Sequence, residues 1–206
     1  MDIVSFIIIS IVALALVLGY IFGRKINLRL SRDVSKELER IFRPKDQTYI
    51  WIGGLIGFRA AYVVENYVTL KITMLMLPRH SVLYFPISKL TSRNDRLWVD
   101  WGLKNDPGFE FHIVEYGSRR LISEYRNNPR LTVSEGAIGS TRAVFLYDGK
   151  GKTVMEEFLS GMDTPGFIYF RMGGERKSAG LYCYLKKGEW SRAVEKAEAF
   201  IGKISK

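Results

Sequence analysis

The residues best suited to chemistry in this sequence are one cysteine and two histidines. Cys183 lies between two tyrosines, His112 lies between Phe111 and Ile113, and His80 follows a proline and an arginine. A thiol and an imidazole within hydrogen-bond distance form a nucleophilic pair, so one hypothesis is a membrane-tethered enzyme that uses Cys183 and His112. The placement of both residues in predicted strands instead favours a buried structural cysteine and a histidine that faces solvent.

The sequence predicts no metal site, no cofactor, no small-molecule substrate and no catalytic residue. A single cysteine excludes a multi-cysteine zinc site, and two histidines leave little material for other metal chemistry. Residues 149–153 (GKGKT) lie between a predicted strand and a predicted helix, as a phosphate-binding loop does. That loop needs a glycine at the position of Leu146, so we expect a polar turn instead. The sequence therefore favours a protein that is not an enzyme.

Basic residues supply the other candidate chemistry, which is the binding of phosphate groups. The 206 residues include 31 Lys and Arg against 21 Asp and Glu, so the net charge is +10. A balance of this sign favours phosphate-rich or acidic partners. Two clusters are predicted to contact RNA or an acidic partner: Arg119, Arg120, Arg126 and Arg130 in one, and Lys186, Lys187, Arg192 and Lys196 in the other. Solvated helix faces and contact with lipid headgroups are the alternatives for both clusters.

Residues 3–22 form an uncharged, apolar stretch of 20 residues. As a helix it would span about 30 Å, which is the thickness of the hydrocarbon core of a bilayer. A cleavable signal peptide would have a basic start, a shorter apolar run and small residues at a cleavage site. This sequence begins Met1-Asp2, and its apolar stretch ends in bulky residues. We therefore predict an uncleaved transmembrane anchor.

The charges that flank the apolar stretch predict its orientation. Only Asp2 precedes the stretch, whereas four basic residues follow it closely: Arg24, Lys25, Arg29 and Arg32. The positive-inside rule places the N-terminus outside and the rest of the chain in the cytoplasm. The same four residues are predicted to contact lipid headgroups. The predicted location is the cell membrane, or the endoplasmic reticulum membrane in a eukaryote.

The chain is predicted to consist of three segments. Residues 1–23 are the anchor, residues 24–46 are a basic juxtamembrane segment with an amphipathic helix, and residues 47–206 are a cytoplasmic domain. Helices are predicted over 119–126 and 189–204. Because strands and helices alternate without a regular βαβ repeat, the fold class is α+β with a mostly antiparallel sheet and packed helices. A shift in composition near 129–139 predicts two packed subdomains.

Several short segments resemble the calumin family, the coiled-coil-domain subunit of the PAT membrane-protein chaperone complex at the translocon. These segments are 57–61 (GFRAA), 75–83 (LMLPRHSVL), 95–99 (DRLWV), 116–120 (YGSRR) and 153–159 (TVMEEFL). The resemblance implies a non-enzymatic scaffold or chaperone at the junction of ribosome and Sec translocon, which assists insertion of multi-spanning membrane proteins. The implied partners are the Sec channel, the ribosome and a small membrane chaperone subunit.

The sequence departs from that family at both ends. Calumin has a long acidic luminal region before its anchor, whereas only Met1-Asp2 stands here, so the calcium binding of that region is not carried over. Calumin also continues into a long charged helix toward the ribosome, whereas this sequence stops at Lys206. We therefore do not carry over ribosome contact through such a tail. The resemblance implies a minimal relative of prokaryotic type.

Overall fold

The structure is a computed structural model that describes residues 2–126, 128–160, 162, 166–174, 177–186 and 188–205, apart from the side chains of Arg119, Glu124 and Tyr125. The helices of the described residues are α1 (Ile3–Phe42), α2 (Tyr84–Thr91), α3 (Arg119–Arg126), α4 (Gly151–Leu159) and α5 (Glu189–Ile204). The strands are β1 (Asp46–Ile52), β2 (Gly57–Val63), β3 (Thr69–Leu75), β4 (Arg96–Gly102), β5 (Glu110–Glu115), β6 (Thr132–Ile138), β7 (Thr141–Tyr147), β8 (Tyr169–Gly173) and β9 (Ser178–Tyr184).

Helix α1 is continuous over 40 residues, so the predicted anchor and the predicted amphipathic helix form one element. It begins where the Asp2 carboxylate accepts a hydrogen bond from the backbone N–H of Ser5, and it ends where Arg43 takes a left-handed conformation. The apolar first half is exposed and is long enough to cross a membrane. Buried residues occur only in the second half, three or four positions apart: Gly23, Asn27, Ser31, Val34, Leu38 and Phe42.

The nine strands of the described residues form one sheet in the order β1-β2-β3-β4-β9-β8-β5-β7-β6. Every strand pairing in this part of the chain is antiparallel, which confirms the predicted α+β class and its antiparallel sheet. Strand β6, which falls in the segment 129–139, pairs with β7 at the edge of the same sheet. The division into two subdomains stays a prediction.

The strand register defines two faces of the sheet. One row of paired residues lies on what we call the first face: Ala60, Ile72, Val99, Leu181, Phe170, Ile113 and Phe145. The second half of α1, together with α4 and α5, contributes apolar side chains to the core on this face. The opposite, second face carries a smaller apolar cluster that includes Val114, and Leu121 and Ile122 of α3 pack against this cluster.

A partly buried carboxylate joins α5 to the first face. Glu198 accepts hydrogen bonds from the indole N–H of Trp101 at 2.7 Å and from the Tyr67 hydroxyl at 2.9 Å. Trp101 is fully buried and meets the ring of Phe42 edge-on, so this carboxylate lies among the side chains that connect α1, α5 and the sheet. Burial raises the pKa of Glu198, although the two hydrogen bonds oppose that shift.

We expect Glu198→Gln to remove part of the pH dependence of stability. A raised pKa means that the folded state holds the proton of Glu198 more tightly than the unfolded state does. This group therefore stabilises the fold fully below the ordinary glutamate pKa of 4.5, and its contribution is lost as the pH rises through the pKa of the folded state. A glutamine can still accept from Trp101 and can donate to Tyr67. The free energy of unfolding of the wild type should therefore fall relative to Glu198→Gln as pH rises above 4.5.

The measurement is chemical denaturation of the full chain in detergent micelles at a series of pH values. Glu195→Gln is the matched control, because its carboxylate lies on the same helix but is 44% exposed and contacts Arg40. A difference between wild type and Glu198→Gln that does not change with pH would contradict the expectation.

Candidate functional site

The distinctive polar site of the described residues lies where α1 passes from its exposed apolar half to its buried half. Asn27 is fully buried there. Its amide nitrogen donates to the carbonyl oxygens of Leu55 and Leu77, at 2.9 Å each, and its amide oxygen accepts from Arg79 at 3.0 Å. One side chain of α1 thus binds the β1–β2 turn and the segment after β3. A buried amide without these partners would cost about 1–3 kcal/mol.

Arg79 and Asp95 form the second half of this site. The guanidinium donates two hydrogen bonds to the Asp95 carboxylate, at 2.9 and 2.7 Å, and the same carboxylate accepts from the backbone N–H of Leu77 at 2.8 Å. Both side chains are largely buried, so the charges are compensated within the protein rather than by water. We call Asn27, Arg79 and Asp95 the helix clamp.

Two glycines let the segment before α2 lie directly against α1. A Cβ atom at Gly23 would stand 2.0 Å from the carbonyl oxygen of Arg79, and one at Gly19 would stand 2.2 Å from a methyl carbon of Val82. His80 meets the ring of Tyr20 edge-on, with ring centroids 6.2 Å apart. Residues 79–82 therefore contact α1 at the end of its apolar stretch, and no side chain other than hydrogen would fit at either glycine without displacement.

The four basic residues predicted to contact lipid headgroups lie around this point of α1. Arg24, Lys25, Arg29 and Arg32 are all exposed on α1, next to the buried residues Gly23, Asn27 and Ser31. Lys25 and Arg29 line a pocket together with Arg79 and Asp95, so basic side chains of α1 lie beside the helix clamp. Contact with headgroups stays a prediction.

Backbone hydrogen bonds join the ends of β9, β8 and β5 at the edge of the sheet where Asp95 of the helix clamp lies. The backbone N–H of Leu185 donates to the carbonyl of Asp95 at 3.0 Å, and that of Glu115 donates to the carbonyl of Ile168 at 2.8 Å. Ile168 in turn donates to Tyr182 at 2.7 Å. We call this row of strand ends the junction edge. The chain leaves it toward α3 after Glu115 and toward α5 after Leu185.

The first predicted cluster begins at the junction edge. Arg120, Arg126 and Arg130 are exposed on α3 and just after it, whereas the side chain of Arg119 lies outside the described residues. The helix has the predicted bounds, 119–126, and packs on the second face through Leu121 and Ile122. The exposed arginines are therefore directed away from the sheet.

Two side chains of the second predicted cluster interact with other groups of the protein. Lys186 lies 3.8 Å from Glu189, and the Lys196 ammonium donates to the carbonyl of Ser160 at 3.0 Å. Arg192 is exposed, and Lys187 lies outside the described residues. Because α5 packs on the first face and α3 on the second, the structure does not join the two clusters into one surface. Contact of either cluster with RNA or an acidic partner stays a prediction.

The structure does not bring Cys183 and His112 together. In the strand register, His112 pairs with Arg171, and Arg171 pairs with Gly180, so these three positions lie on the second face. Cys183 lies three residues beyond Gly180 on β9. Because successive side chains of a strand alternate between the faces, Cys183 points to the first face. Cys183 is buried, as expected, and burial raises the pKa of its thiol to about 12. The proposed nucleophilic pair therefore does not form, and the thiol remains protonated at neutral pH.

The expectation that His112 faces solvent was wrong. Its side chain is buried, with 3% of the residue exposed, and its ring stacks with the ring of Tyr169 on the second face. One ring nitrogen is 2.7 Å from the Tyr169 hydroxyl and the other is 2.8 Å from the Glu110 carboxylate. His112 is thus held by polar partners on both sides. Within the described ranges, no three His, Cys, Asp or Glu side chains converge to hold a metal ion.

We expect Asp95→Ala to destabilise the protein by about 3–5 kcal/mol, because removal of one partner leaves the buried Arg79 charge uncompensated. Asp100→Ala is the matched control, since Asp100 is more than half exposed and lies 3.5 Å from Arg171. That surface pair is expected to contribute about 0–1 kcal/mol. The measurement is chemical denaturation of the full chain in detergent micelles, followed by tryptophan fluorescence. Equal losses in the two variants would contradict the structural role of the clamp.

Comparisons with known proteins do not assign this chain to a family. No family model matches the sequence, and no curated protein matches it significantly. The resemblance to the calumin family is therefore untested and stays a prediction.

Proposed function

We propose that the protein is a single-pass membrane scaffold whose α+β domain is held rigidly at the cytoplasmic membrane surface. The observation that carries the proposal is the dual character of α1. Its first half is apolar and exposed, and its second half belongs to the core of the domain. A flexible tether would need only the first half. The continuity of the helix and the clamp at Asn27 instead support a domain with one orientation relative to the lipid.

The proposed orientation has the N-terminus outside and the domain in the cytoplasm. It is supported by the excess of basic residues directly after the apolar stretch, all of which are exposed: Arg24, Lys25, Arg29 and Arg32. Basic residues near the ends of a span are retained on the cytoplasmic side. The exposed side chains are also free to reach anionic headgroups, which attract each cation by about 1 kcal/mol near the surface.

The orientation predicts a specific pattern of protease protection. Trypsin added to sealed inverted vesicles that contain the full chain should digest it on the C-terminal side of Arg24, because the domain faces the added protease. Right-side-out vesicles are the matched control, and there the domain should survive until detergent is added. The reverse pattern would contradict the orientation. Release of the protein from the membrane by alkaline carbonate would contradict the anchor itself.

For the partner of this scaffold, we propose the junction of ribosome and Sec translocon, with assistance of membrane-protein insertion as the role. The support is the resemblance to calumin together with the exposed arginines of α3, whose planar guanidinium groups bridge phosphates well. The Sec channel and a small membrane chaperone subunit would be the membrane partners. The proposal includes no catalytic step, no cofactor and no small-molecule substrate.

A second candidate is a lipid-surface protein without a ribosomal partner. The junction edge favours it, because β5 and β9, which precede α3 and α5, end at the same edge of the sheet as β3, whose following segment contacts α1. Basic residues near those starts, such as Arg120 and Lys186, would then face headgroups rather than RNA. The two candidates differ in whether the domain binds ribosomes.

We expect the full chain in lipid nanodiscs to co-sediment with ribosomes, with an affinity that falls steeply with salt. Each lost phosphate contact should reduce the slope of log affinity against log salt by about one. The test variant is the triple change Arg119→Glu, Arg120→Glu and Arg126→Glu, which should bind more weakly with a shallower slope.

The control for this experiment carries the same change of charge elsewhere. Lys104, Lys150 and Lys152 are exposed and lie beyond the opposite ends of the strands, so their triple change to Glu should leave binding nearly unchanged. Equal effects of the two triple variants would remove α3 from the interface. If the wild type does not bind ribosomes even at low salt, direct ribosome contact is wrong and the lipid-surface candidate is favoured.

A further inference from the structure

Helix α2 and the residue before it expose four large apolar side chains. Leu83, Ile87 and Leu90 are 77%, 56% and 79% exposed, and Tyr84 is 56% exposed. The first three are spaced i, i+4 and i+7, so they form one stripe along a short helix. Single exposed apolar residues are ordinary on a protein surface, but a continuous stripe on one element marks a face that is covered by something apolar.

The position of α2 indicates what covers this stripe. Val82, the residue before Leu83, lies against Gly19 of α1, and Arg79 lies against Gly23. Gly19 is three residues inside the end of the apolar stretch, which corresponds to a depth of about 5 Å in a membrane-spanning helix. Interfacial helices bury their apolar faces about 5–10 Å into the boundary of headgroups and acyl chains. The stripe therefore starts at the depth at which such helices lie.

Polar and aromatic residues around α2 fit the same boundary. Lys89 and Arg93 are exposed on and just after the helix, where their charges can reach lipid phosphates. Trp51 is half-exposed at the end of β1, beside the turn that Asn27 binds, and Tyr20 and Tyr84 are exposed nearby in the fold. Tryptophan and tyrosine are enriched where a protein crosses from lipid to water.

We propose that the stripe Leu83, Ile87 and Leu90 is inserted into the interfacial layer of the bilayer that α1 crosses. This inference rests on the proposed function, because it needs α1 to span the membrane. The occupant of the stripe is lipid rather than protein, since the stripe is continuous with the lipid-facing surface of α1 and has cations at its polar end. The domain is thereby attached to the bilayer at two points, which restrains its tilt.

The experiment measures the depth of α2 in the full chain reconstituted into vesicles of zwitterionic and anionic lipid. Single cysteines at Leu90→Cys, Asn66→Cys and Ile11→Cys are labelled with an environment-sensitive fluorophore and exposed to lipids that carry a nitroxide near the headgroup or deep in the acyl chain. Leu90 is exposed, so the substitution leaves the core intact. The wild type is the unlabelled control, because Cys183 is buried.

We expect the Leu90→Cys label to be blue-shifted and to be quenched by the shallow nitroxide several-fold more than the Asn66→Cys label. Asn66 lies in the β2–β3 turn, beyond the opposite ends of the strands, so its label reports a position in water. The Ile11→Cys label tests the anchor independently, because it should be quenched by the deep nitroxide.

The outcomes separate the two proposals. Quenching of Ile11→Cys with a Leu90→Cys signal equal to that of Asn66→Cys would leave the anchor standing and overturn the interfacial role of α2. A blue-shifted but unquenched Leu90→Cys label would place the stripe against protein, which in these vesicles means another copy of the chain, and would also overturn it. Absence of quenching at Ile11→Cys would overturn the anchor and, with it, the inference on α2.

Discussion

The hydrogen-bonded contact of Asn27 with Arg79, Leu55 and Leu77 is the constraint on which the arrangement of the molecule depends. It fixes the rotation and the axial position of α1 relative to the sheet. The stripe of buried residues that follows on α1 can then continue into the core, and the segment before α2 is held against two glycines. Because buried amides and charges are costly without partners, neither α1 nor the chain around Arg79 can shift alone.

Features that depend on local sequence were predictable. The bounds of α3 and α5 agree with the predictions because apolar residues recur at helical spacing and Gly or Pro residues stand beyond their ends. The antiparallel sheet also followed, since alternating strands joined by short turns are typical of that arrangement. By contrast, β6 was missed because it is an edge strand with mostly exposed residues and a glycine at Gly136, so it lacks clear alternation.

The site depends on contacts between distant parts of the chain, so it was harder to predict from the sequence. Asn27 stands among basic residues and reads as a polar juxtamembrane position, yet its partners lie up to 50 residues away. The four-residue spacing of Gly23, Asn27 and Ser31 was the available signal, because it extends the apolar stripe of the following turns. His112 stands between the apolar residues Phe111 and Ile113, and this alternation is typical of a strand residue that faces solvent. In the structure both faces of β5 are buried here, so His112 is buried as well.

In the proposed topology, the continuity of α1 couples the domain to the thickness of the bilayer. A span that is longer than the local hydrocarbon layer tilts to bring its apolar residues back into lipid. Because a stripe of residues along 23–42 of the same helix is buried against the domain, the sheet must rotate with that tilt, and no hinge is present between Ile3 and Phe42 to absorb it. Hydrophobic mismatch would therefore change the angle at which α3 and α5 are presented at the membrane surface.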